Sequence, residues 1–173
     1  MLGGRSSDQR VPLLDYLSGP LFRELQFERH RQSFCKIRVV DELLEAPDMQ
    51  ILEALHSVSA SLTQLVAATG DVVFLSGSHA QAAYFKISGS LMYYSDDGKE
   101  EVGSSRWIAE ACFWTPWIHL GDCEATDVSE FLSLDAQGFL HSLCKSWSTQ
   151  RAAITHAKLF VDAWSSEHRN GSS

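Results

Sequence analysis

Apolar and polar positions alternate in short runs between about residues 61 and 134, and glycine closes each run. Val72 and Phe74 precede Gly77, Tyr84, Phe85 and Ile87 precede Gly89, and Leu91 with Tyr93 opens the next run. Period-two alternation bounded by glycine predicts strands joined by tight turns, because glycine takes backbone angles that other residues resist. Ser95-Asp96-Asp97-Gly98-Lys99 reads as a hairpin turn, since Asp-Gly suits positive φ.

On either side the period changes to that of a helix. Leu17, Leu21 and Leu25, with Glu24 and Glu28 opposite, predict one or two amphipathic helices between Leu13 and Phe34, started by Ser18-Gly19-Pro20. Ala46-Pro47-Asp48 starts another, with Ile51, Leu52 and Leu55 inward. After Asp135 the positions Phe139, Leu140, Leu143 and Trp147 return to helical spacing. Ser148 or Thr149 is expected to cap a last helix that carries Ala153, Ile154, Ala157, Leu159, Phe160, Val161 and Trp164. The expected organisation is a disordered tail over 1–11, a helical lead-in over 12–59, a β-rich domain over 60–167 and a second tail over 168–173.

The glycine-marked runs carry a resemblance. Gly70-Asp71, Gly77, Tyr84-Phe85 and Gly89 resemble the first half of a cyclic-nucleotide-binding domain. Gly103-Ser104-Ser105-Arg106-Trp107-Ile108-Ala109-Glu110-Ala111 resembles that family's phosphate cassette, and Trp117 to Ala125 falls on its Arg-x-Ala-Ser/Thr segment. Glu130 to Phe139 matches the final strand and the start of the following helix. The likeness spans roughly Ala60 to Phe139. It implies an α+β, mainly β fold, an eight-stranded antiparallel jelly-roll-like β-roll, flanked by N-terminal helices and two C-terminal helices. The family's last helix closes over the nucleotide. The lead-in "LLDYLSGPLFRELQFERH" looks like the linker that joins the pore of a potassium-type cation channel to its binding domain.

The resemblance implies cAMP or cGMP as the ligand, with Glu110 at the ribose hydroxyl and Ala109 and Ala111 in the cassette. The departures weaken that expectation. His119 stands where the family has the phosphate-binding arginine, and Asp122 where it has the Ser/Thr hydroxyl. A neutral imidazole makes no two-pronged contact, and a carboxylate repels a phosphate. Each lost charge-assisted bond costs about 1.5–3 kcal/mol. Arg106 could supply a cation from another direction, and Asp122 could hold His119 protonated. The expectation is therefore a non-catalytic regulatory module with impaired nucleotide binding, partnered by a protein or a parent channel domain. A working cAMP/cGMP sensor and a kinase regulatory subunit are the alternatives.

Composition sets further bounds on the 173 residues. Net charge is −8, with no basic stripe, which argues against nucleic acid. No run approaches the ~20 apolar residues of a membrane span, so no membrane insertion by this chain is expected, while the unpaired cysteines fit a reduced, cytoplasmic place, at the inner face of a membrane if a channel is the parent. Cys35, Cys112, Cys123 and Cys144 form no C-x-x-C pair, and no Gly-x-Ser-x-Gly elbow is present. His141 and Cys144 stand three apart on a predicted helix without a second ligand pair, so no metal and no enzymatic activity are expected. Trp107, Trp114 and Trp117 cluster at or after the cassette, where they could pack in the core, fill the pocket or dock a partner.

Overall fold

A computed structural model describes residues 16–170, with side chains as far as residue 166. The segments 1–11, Leu13–Asp15 and 171–173 considered above lie outside the described residues.

Four helices lead in: α1 (Gly19–Arg29), α2 (Arg31–Phe34), α3 (Arg38–Glu45) and α4 (Met49–Val58). Ser18 is the N-cap of α1 and Pro20 sits in its first turn, but the serine side chain makes no capping bond. Asp48 does cap α4, its Oδ1 accepting from the Ile51 amide at 2.7 Å. The inward face of α1 differs from the one its leucines predict. Leu21 and Leu25 are exposed and Phe27 is fully buried. The face at Arg23, Gln26, Phe27 and His30 turns to the protein, held where Ser59 Oγ donates to the Arg23 carbonyl and where Phe27 stacks on Phe34 at 5.1 Å. Helix α3, with Val39, Val40 and Leu43 inside, completes this layer. In α4, Ile51 and Leu55 are buried and Leu52 is half-buried.

Among the described residues seven strands follow, one fewer than expected: β1 (Leu62–Ala67), β2 (Val72–Phe74), β3 (Ala82–Ser88), β4 (Leu91–Ser95), β5 (Gly98–Glu101), β6 (Asp122–Ala125) and β7 (Ser129–Asp135). They form two antiparallel sheets, β1-β7-β3 and β2-β6-β4-β5. Where an eighth strand would pair, the contacts shrink to single bridges, His79 with Ile118 and Tyr84 with Ile108. The architecture is α+β with an antiparallel β-roll, as the alternating pattern implies.

Central strand β7 is buried on both faces. Leu132 and Leu134 join the helices in one cluster, with Phe34, Leu55 and Phe139, while Phe131 points between the sheets to Phe74, Leu91 and Cys123. Gly70, Gly77, Gly89 and Gly98 all adopt positive φ, as turn glycines should. At Gly89 a side chain would also collide with the Val128 carbonyl. Ile87, expected inside, is exposed, and Lys86 is buried in its place, 3.4 Å from Glu101. An irregularity in register between Lys86 and Ser88 causes the exchange.

The chain closes with α5 (Ala136–Leu143), capped by Asp135 Oδ2 on the Gly138 amide, and α6 (Trp147–Asn170). The cap of α6 is Ser146, whose Oγ accepts from the Thr149 amide at 3.2 Å, and not Ser148 or Thr149. Thr149 and Ala153 face inward, whereas Ile154, Leu159 and Val161 are exposed. Helix α6 reaches Asn170, into the segment expected to be a tail. No helix among the described residues is long and apolar enough to cross a membrane.

Candidate functional site

A cavity of about 350 Å³ is lined by β2, β4 and β5 of the four-stranded sheet, the loop 102–111, the segment 117–120 and α6. The loop is fixed first. Tyr84 and Ile108 exchange backbone hydrogen bonds at 3.0 and 2.7 Å, pinning it to β3. The Trp107 indole N–H donates to the Ser33 carbonyl at 2.8 Å, pinning it to α2. Immediately afterwards Ala109 takes a left-handed conformation, φ 61°, and starts the 3-10 turn Glu110–Phe113. Among the described residues Ala109 is the sole non-glycine with positive φ. Ala109 thus holds a backbone shape that glycine adopts more readily than any L-residue.

The second wall is set by backbone pairing between the 117–119 segment and the chain after β2. Gly77 donates to the His119 carbonyl at 2.8 Å, His119 to Ser78 at 3.0 Å, and Ala80 to Trp117 at 2.9 Å. This puts the His119 ring flat against Phe74, centroids 3.8 Å apart and 10° between planes. Burial lowers the pKa of His119, so the ring stays neutral at pH 7. From α6, Phe160 and Trp164 reach the cavity, and Trp164 meets Trp117 edge to face at 5.0 Å.

Five of the six residues singled out in the sequence line this cavity: Arg106, Ala109, Glu110, Ala111 and His119. Asp122 does not. It opens β6 and its Oδ1 accepts from the Ser76 amide at 2.7 Å, so it neither faces the cavity nor holds His119 protonated. Arg106 is at the rim, its side chain 78% exposed and 3.6 Å from Glu100. It does not replace a buried phosphate-binding arginine. Glu110 carries the opposite character: burial pushes its carboxyl up to about 7, and among the described residues no hydrogen bond or ion pair reaches it.

Trp107, Trp114 and Trp117 pack in the core or wall the cavity. Trp114 is core, edge to face with Phe113 and Phe139 and 4.7 Å from His156, with a buried indole N–H that lacks a partner. Trp107 and Trp117 are walls of the cavity and do not fill it. Sequence reasoning did not single out Phe74, Tyr93 or Trp164 as lining residues. Their alternation or helical spacing marks them as inward, but only the fold aims them at one space.

Other candidate chemistry is dispersed. His141 and Cys144 are both exposed at the end of α5. No group of three metal-ligating side chains occurs among the described residues. Burial pushes the Cys112 and Cys123 thiols up to about 12, which leaves them unreactive as nucleophiles.

No family model matches the chain and no curated protein does. Solved structures do match. A cyclic nucleotide-binding-like protein from Brucella abortus superimposes with a TM-score of 0.50 at 22% identity, covering 62% of this chain and 97% of that one. The sensor domain of the transcriptional regulator DNR from Pseudomonas aeruginosa gives a TM-score of 0.58 at 21% identity, covering 85% of this chain and 93% of that one. At such identities the likeness is one of fold. The chain has the fold of a cyclic-nucleotide-binding domain.

Proposed function

We propose that this protein is a non-catalytic regulatory module with a cyclic-nucleotide-binding fold whose cavity no longer takes cAMP or cGMP. One observation carries the reading: the cavity offers an anion no buried cation. His119 is neutral and stacked on Phe74, and Arg106 lies at the rim beside Glu100. Glu110 adds a carboxyl that would have to share the space with a phosphate. With net charge −8 the chain's overall field also opposes an anionic ligand.

The regulatory signal is proposed to pass through α6, which joins the cavity to the helical layer by way of Phe160, Trp164 and the His156–Trp114 contact. A protein recipient, in a parent channel or elsewhere, is supported by the exposed apolar residues of α1, Leu21, Phe22 and Leu25, beside Tyr16. A second reading, a working nucleotide sensor, is favoured by the left-handed Ala109 and the retained Glu110, which keep the cassette's shape. Calorimetric titration with cAMP and cGMP separates the two. The first reading expects no saturable heat, and a stoichiometric isotherm would establish the second.

A further inference from the structure

The cavity is poor for anions for reasons that make it good for the opposite charge. Its walls are aromatic: Phe74, Trp107, Trp117, Phe160 and Trp164 all line it. The half-buried Glu110 lines the cavity with a carboxyl that no cation among the described residues is paired with. The other carboxylate at the cavity, Glu100, already faces Arg106 at the rim. Aromatic rings attract a cation through their negative faces, and more strongly when water is excluded. A carboxyl held in such a place without a partner supplies the counter-charge. The volume, about 350 Å³, is that of a small-molecule site.

Resting on the reading of this cavity as a ligand site that rejects cyclic nucleotides, we infer that it binds a small organic cation. That ligand is an amine with an apolar or aromatic body, its ammonium group on Glu110 and its body among Trp107, Trp117 and Trp164. Bare burial explains why Glu110 is raised to about 7, and a bound ammonium would return it to the ionised form. The acidic chain steers cations inward. Two anchored walls, Trp107 on Ser33 and His119 on Phe74, keep the space open without a ligand.

Three indole probes of similar shape test this: tryptamine, a cation at pH 7.5, neutral indole-3-ethanol and anionic indole-3-acetate. Each is titrated calorimetrically into the wild-type protein, beside cAMP. Tryptamine is expected to bind at least roughly tenfold tighter than indole-3-ethanol, a difference of about 1.4 kcal/mol, with indole-3-acetate weakest. In Glu110→Gln the tryptamine advantage should fall to within about threefold while indole-3-ethanol is unchanged. Equal affinity for the three probes, no binding by any of them, or an advantage that survives Glu110→Gln would overturn the inference. Failure of the underlying reading looks different, since cAMP itself would then bind. The wild-type ligand series decides the matter even if the variant folds poorly.

Discussion

The Ser76 amide donates to the Asp122 carboxylate at 2.7 Å, across 46 residues of sequence. This bond ties the turn after β2 to the start of β6 and takes Asp122 out of the cavity beside it. A residue that in sequence reads as a repulsive substitute in a phosphate site is, in the fold, a clasp between two strands.

Removing that clasp should cost stability and leave ligand behaviour alone. Asp122→Ala is expected to lower stability by about 0.5–1.5 kcal/mol, the net worth of one partly exposed hydrogen bond. Urea unfolding measures the loss, and cAMP titration of the same variant should remain flat. A gain of cyclic-nucleotide affinity would mean that Asp122 faces the ligand after all.

Ala109 holds φ 61°, a conformation that costs an L-residue roughly 1–2 kcal/mol. Part of this is offset by the smaller entropy of an unfolded alanine relative to glycine. Ala109→Gly is expected to stabilise the fold by about 0.5–1 kcal/mol, and Ala109→Val to destabilise it. Chemical denaturation of the two variants should give opposite signs. A loss on Ala109→Gly would show that the methyl group contributes packing worth more than the strain.

Glu110 makes stability depend on pH in a set direction. Its folded pKa, about 7, stands above the ordinary 4.5, so the folded state binds more protons than the unfolded state between those values. Its favourable contribution is present below pH 4.5 and is lost as pH rises through about 7. Glu110→Gln removes the loss. Relative to wild type it should be more stable by at most about 3 kcal/mol at pH 8, less by whatever solvent screens at this half-buried group, and nearly equal at pH 4.5. Thermal unfolding of both proteins across that range reads the difference, and parallel curves would contradict the burial of Glu110.

Much of the β-roll was legible because its signals are local. Period-two runs ended by Gly70, Gly77 and Gly89 carry their own turn chemistry, and all three glycines have the positive φ that the pattern demands. The helical faces were less legible. Leu21 and Leu25 have helical spacing, yet Phe27 is the buried residue, because the inward face is chosen by what α1 packs on. The site divides the same way. The resemblance singled out Arg106, Ala109, Glu110, Ala111 and His119, and these five line one cavity. It did not reveal the Ser76–Asp122 bond or the return of Trp164 to the cavity, both of which join distant segments.

A cavity without anion chemistry leaves cAMP and cGMP unbound, which thermal unfolding with either nucleotide at millimolar concentration, at pH 7.5 and pH 6, can show. A ligand that binds the folded state raises stability by RT ln(1 + [L]/Kd), so even weak binding registers. Burial lowers the pKa of His119, which works against its becoming the missing cation on acidification. Unfolding midpoints should be unchanged with either nucleotide at both pH values. A saturable rise at pH 7.5, or one confined to pH 6, would contradict it.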